Sequence, residues 1–203
     1  MTPLLDEQPI RIALLALSLV FMPMGLYYRI ASHTGEKIDR WQEGAVILFG
    51  LRLAAGVLFA GGLAWMIEPH WMAWSGLPLP AWLRWLGVIV AVGAALLFWW
   101  TARCLGKNLT DTVVTRIDHA LVTSGPYRWV RHPFYVAFFA GVAGTSLAMA
   151  NWFVMLAGGV TSAFLVARTG TEEQKLIERF GDDYRRFISN TGRFWPRWRN
   201  SSS

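Results

Sequence analysis

Two polar clusters in an otherwise apolar chain hold the side chains able to do chemistry. The first is Gly125-Pro126-Tyr127-Arg128-Trp129-Val130-Arg131-His132-Pro133-Phe134-Tyr135. The second is Arg168 with Glu172-Glu173, followed by Phe180-Gly181-Asp182-Asp183-Tyr184. Pro133 pushes His132 out of the helical region and suits the opening position of a helix. His132 is therefore expected at a loop-to-helix junction, where outward-pointing backbone N–H groups can hold a polar ligand group. Tyr127 and Tyr135 add ring faces and hydroxyls. The plainer role for this run is a basic membrane-entry motif with aromatic anchors.

In the second cluster, Arg168 and Glu172 stand four apart and share a face if their helix is continuous. Gly170 is a candidate break, and Glu173 points elsewhere. Such an arginine can hold an anion, and such a carboxylate can accept hydrogen bonds from ribose hydroxyls or an ammonium. The alternative is a surface ion pair worth under ~1 kcal/mol.

Other chemistries find no pattern. The chain has no Ser/His/Asp set, no HExxH, no P-loop and no GxGxxG, so neither a Rossmann cofactor site nor a phosphate-cradling loop is indicated. Its one cysteine, Cys104, allows no intrachain disulfide and lies in no metal-ligand spacing, so no metal is expected.

The elements that must position these clusters read as membrane helices. The chain of 203 residues is 54% hydrophobic and 16% charged, with twelve Trp and twelve Phe. A soluble domain runs near a quarter charged. The net charge of +6 is spread over segments between apolar spans rather than along one face, which argues against a nucleic-acid partner. A bilayer span needs about 20 apolar residues. The expected spans are Ile10 to Ile30, Glu43 to Ile67, Trp82 to Trp100, then a short hairpin of Tyr135 to Ala150 and Trp152 to Ala167 joined at Asn151. Gly141, Gly144, Gly158 and Gly159 in that hairpin predict close helix packing. The first apolar run lacks a small-residue cleavage site and reads as a retained span rather than a signal peptide.

Lysine and arginine cluster in 29–42, in 101–134 and after Ala167, but not in 68–81. The positive-inside rule then gives five spans, the N-terminus outside and the C-terminus cytoplasmic, with both clusters on the cytoplasmic side. Arg52 falls inside the second span, where a charge marks either a function or a pairing within the bundle. Glu172 to Ile188 reads as an amphipathic helix at the membrane surface, with Leu176, Ile177, Phe180, Tyr184, Phe187 and Ile188 at helical spacing. Gly181 is its expected break. No internal repeat or linker appears, so residues 1–203 read as one domain: three N-terminal spans over 10–100 and a functional half over 101–203.

His119-Ala120-Leu121-Val122-Thr123-Ser124-Gly125-Pro126-Tyr127, then Arg131-His132-Pro133-Phe134-Tyr135, then Arg168, Glu172-Glu173, Phe180-Gly181 and Tyr184 resemble, in that order, the isoprenylcysteine carboxyl methyltransferase family. They also resemble its wider superfamily, which includes phospholipid N-methyltransferases. The likeness covers roughly residues 100–196. It implies an all-α integral membrane methyltransferase using S-adenosylmethionine and acting on a lipophilic or prenylated acceptor, a prenylcysteine-like carboxylate first among them. It implies cofactor contacts at His119, Ala120, Leu121, Val122, Tyr127, His132, Pro133, Phe134, Tyr135 and Glu172, and a substrate contact at Arg168, with Arg168 and Glu172 as the catalytic pair. Glu173 is the rival to Glu172 if the register shifts by one. Three alternatives stand beside it: phospholipid N-methylation, an NADPH-dependent sterol-type reductase carrying a similar RHPxY stretch, and a non-catalytic lipid-binding membrane protein.

Overall fold

The computed structural model describes residues 4–31, 45–105 and 121–197. Among these, the regular elements are helices: α1 (Leu4–Ala31), α2 (Ala45–Ile67), α3 (Ala81–Leu105), α4 (Pro133–Met149), α5 (Trp152–Phe180) and α6 (Asp182–Asn190). Short 3-10 turns cover Pro69–Ser75 and Gly125–Arg128. Four helices (α1, α2, α3 and α5) are long and apolar enough to cross a membrane, and α4 is a shorter apolar helix. These are the five apolar segments expected from hydropathy.

The fifth segment differs from expectation. It does not stop near Ala167; α5 runs unbroken for 29 residues to Phe180. At about 1.5 Å per residue it is longer than the ~30 Å hydrocarbon layer, so its last polar turns extend past the apolar part. Gly170 therefore does not interrupt the helix. A mid-helix glycine costs only about 1 kcal/mol, and the flanking Arg168 and Thr169 are buried. The expected surface helix Glu172 to Ile188 is accordingly two pieces: the end of α5 and the separate α6. Gly181 divides them as expected. Its φ of 55° and ψ of −125° suit a residue without Cβ, and its N–H donates to Ile177 O at 2.8 Å. The apolar residues of the second piece turn inward, with Tyr184 almost wholly buried.

Small residues set the tightest pair, α3 on α4. A Cβ on Gly87 would meet Gly144 O at 2.6 Å, and one on Gly144 would meet Ala91 N at 2.6 Å. Backbones can approach this closely only where side chains are absent or minimal. At one end of the molecule, Ala150 takes a left-handed conformation and Asn151 caps α5 by accepting from Val154 N at 3.1 Å. The buried Asn151 amide also donates to Met72 O and Ser75 Oγ, which ties the α4–α5 hairpin to the turn after α2. Trp74 packs edge-on against Trp152 at this end, and Trp100 against Trp129 at the other. Two aromatic levels of this kind fit a protein set in a bilayer. Arg52 is exposed on α2, so it is not enclosed within the bundle.

Candidate active site

The site lies where the first turn of α4 meets the last third of α5. Pro133 is the first residue of α4 and His132 its cap, with φ −122° and ψ 63°, outside the helical region, as the X-Pro rule requires. Gly125 opens the preceding turn at φ 60°; there a Cβ would collide with Cys104 Sγ. This turn buries Pro126 and Tyr127.

The two sequence clusters are in direct contact. Tyr135 Oη donates to Glu172 Oε1 at 2.6 Å. Arg168 Nε lies 3.1 Å from the same oxygen, four residues back along α5. His132 Nδ1 stands 3.5 Å from Glu172 Oε2, and its Nε2 stands 3.2 Å from Glu173 Oε1. The His132 and Tyr135 rings stack at 5.3 Å and 8°. His132, Tyr135, Arg168 and Glu172 thus form one connected group, in which both Arg168 and His132 are buried. Burial pushes the Tyr127 phenol up from its ordinary value, and the nearby Glu172 charge adds to the effect. Tyr127 therefore stays a neutral hydroxyl beside the carboxylate.

Other expected residues fall elsewhere. Phe134 turns its ring to Phe98 of α3 at 5.2 Å. Pro133 is buried as a structural start to the helix. Leu121 and Val122 are half-buried in the stretch entering the turn. His119 and Ala120 lie outside the described residues.

Glu173 points away from Arg168, as expected, and has partners that the sequence did not indicate. It is buried, accepts from Arg131 Nε at 2.8 Å and Arg193 Nε at 3.2 Å, and pairs through Oε2 with Arg193 Nη2. The hydrogen bond to Glu173 raises the Arg193 pKa against the opposing effect of burial. The chain after α6 folds back to make these contacts. Arg131 N–H donates to Gly192 O at 2.8 Å and His132 N–H to Arg193 O at 3.1 Å, and Phe194 packs against His132 at 5.8 Å. Sequence reasoning missed Arg193 and Phe194. The available signal was the basic-aromatic run Arg193-Phe194-Trp195 just past the last helix.

The donor set is a carboxylate, an imidazole, a phenol, a guanidinium and stacked aromatic faces. Carboxylate and ring faces suit a cationic ligand, and the guanidinium suits a carboxylate.

Residues 85–178 match the family model described as the isoprenylcysteine carboxyl methyltransferase (ICMT) family. Similar curated proteins include the protein-S-isoprenylcysteine O-methyltransferase of Schizosaccharomyces pombe, 42% identical over 85 residues, covering 40% of this chain and 36% of that protein. The Homo sapiens protein of the same name is 33% identical over 114 residues, covering 55% of this chain and 40% of its own. A solved structure of the eukaryotic intramembrane Ras methyltransferase ICMT superposes with a TM-score of 0.55 at 28% identity, covering 71% of this chain and 51% of that one. The chain thus spans about half or less of the length of these relatives. The matched region contains both halves of the contact between α4 and α5.

Proposed function

We propose that this integral membrane protein, similar to the isoprenylcysteine carboxyl methyltransferase family over residues 85–178, transfers a methyl group from S-adenosylmethionine to the carboxylate of a prenylcysteine-like acceptor. The observation that carries the reading is the contact between the HPxY turn and the α5 carboxylate, made by Tyr135 Oη and Glu172 Oε1 at 2.6 Å. It joins the two motifs through which the chain resembles that family.

The chemistry of the donor set fits the cofactor. When bound, S-adenosylmethionine supplies an electrophilic methyl group on a sulfonium. Glu172 accepts hydrogen bonds from the cofactor's polar groups, with Tyr135 fixing the carboxylate. Tyr127, His132 and Tyr135 offer ring faces to its positive charge. The family resemblance would add cofactor contacts at Leu121 and Val122, and at His119 and Ala120 outside the described residues, while Pro133 and Phe134 serve the start of α4 and its packing on Phe98. Arg168 holds the acceptor carboxylate next to Glu172. No side chain has to remove a proton, because a carboxylate acceptor is already ionised; an amine acceptor would need a base. The work left to the protein is positioning and exclusion of water.

On this reading residues 1–203 form one membrane-embedded unit, with 101–203 as its catalytic half. Both motifs and the C-terminus face the cytoplasm, and the apolar acceptor enters from the lipid side. The test is to incubate the purified chain with methyl-labelled S-adenosylmethionine and an S-farnesyl cysteine derivative. A base-labile methyl ester is expected. Label appearing only in a phospholipid amine would replace carboxyl transfer by N-methylation.

A further inference from the structure

Glu173 has no role in the reaction as just proposed, yet its side chain is less exposed than that of Glu172, at 9% against 17%. Two guanidinium groups and an imidazole converge on it. A buried carboxylate is tolerated only when its lone pairs are satisfied, and Arg131 and Arg193 are enough to meet that demand. The third partner, His132 Nε2 at 3.2 Å, is therefore informative about the histidine.

Every side of His132 is fixed. Glu173 holds Nε2. Tyr135 stacks on the ring at 8°, and Phe194 leans on it at 47°. The His132 backbone N–H is held by Arg193 O at 3.1 Å. Phe194 is itself seated against Phe139 at 5.5 Å, and the Arg131 side chain reaches Thr191 O. What remains is Nδ1, which points toward Glu172 Oε2 at 3.5 Å. Each ring nitrogen thus faces a carboxylate, Glu173 at Nε2 and Glu172 at Nδ1, so the groups that fix the ring also fix the edge it presents to Glu172.

We propose that Thr191–Phe194 is a strap that completes the site, and that Glu173 and Arg193 are positioning residues which hold the His132 ring with its Nδ1 edge turned toward Glu172. Glu172, with that edge beside it, then receives a hydrogen-bond donor of the bound ligand, of the ammonium class. The ligand assignment rests on the methyl-donor reading above; the strap does not.

The experiment therefore has two arms on the full chain in detergent. In the first, without ligand, diethylpyrocarbonate modification of His132 is timed by peptide mass spectrometry. Arg193→Ala should speed it about tenfold, the worth of one charge-assisted hydrogen bond, and Arg193→Lys should restore part of the protection. Phe194→Ala makes the same test if Arg193→Ala does not fold. Unchanged His132 reactivity in a folded variant overturns the strap. In the second arm, calorimetry with S-adenosylhomocysteine should show about tenfold weaker binding for Arg193→Ala, with KM for the methyl donor moving more than kcat. Faster His132 modification together with no binding by the wild type would keep the strap and overturn the ammonium-class ligand. Binding by the wild type that Arg193→Ala leaves unchanged would overturn the positioning role.

Discussion

The Tyr135 hydroxyl donates to Glu172 Oε1 at 2.6 Å across 37 positions of sequence, joining the first turn of α4 to the last third of α5. The bond orients the carboxylate that we assign to the methyl donor. Tyr135→Phe should keep the ring stack on His132 and lose only the hydroxyl. Donor affinity is expected to fall by about threefold to tenfold, the net worth of one typical hydrogen bond, with little change in melting temperature. Isothermal titration of the variant beside the wild type checks this.

Arg168 lies 3.1 Å from Glu172 Oε1 and is assigned to the acceptor carboxylate. Arg168→Lys keeps the charge but not the planar fork. KM for a prenylcysteine acceptor should rise about tenfold or more, while donor affinity changes less. Steady-state kinetics with each substrate varied in turn separates the two effects. A larger loss on the donor side would reassign the residue.

Packing of α3 on α4 holds the site's first half in place. A Cβ on Gly144 would meet Ala91 N at 2.6 Å, and neither backbone can yield without parting the helices. Gly144→Val should cost about 1–3 kcal/mol and lower both folded yield and melting temperature. Gly159, around which a Cβ meets nothing, is the matched control, where the same substitution should cost less.

Alkaline stability follows from Tyr127. Burial first, and then the Glu172 charge, raise its pKa above the ordinary 10.0. The folded chain thus keeps the phenolic proton more firmly than the unfolded chain. That contribution is complete below the unfolded value and is lost as the pH rises beyond it. Melting temperature should fall above about pH 10, and Tyr127→Phe should make the fall shallower. Tyr184 is raised in the same direction by burial, so the slope should not vanish. Thermal melts of both proteins across that range measure the difference.

The sequence made the apolar helices and the partners Arg168 and Glu172 legible because each depends on local spacing: runs of about 20 apolar residues, and a separation of one helical turn. Asn151 at the hairpin, Pro133 at the start of α4 and Gly181 at the break were readable for the same reason. The length of α5 was not. Gly170 and the change to polar composition suggested an end, whereas burial of Arg168, Thr169 and Glu173 against the rest of the chain carries the helix through. The role of Glu173 was hidden because two of its partners, Arg131 and Arg193, come from separate segments. Only the return of the chain beside Val130 and Gly192 brings them together.

The central claim is that the polar contact between α4 and α5 grips a methyl donor. Calorimetry with S-adenosylhomocysteine on the detergent-purified chain and on Glu172→Gln tests it most directly. Saturable one-site binding is expected for the wild type, weakened at least about tenfold by the substitution. No binding by a folded wild type, or equal affinity in the two proteins, would contradict the account.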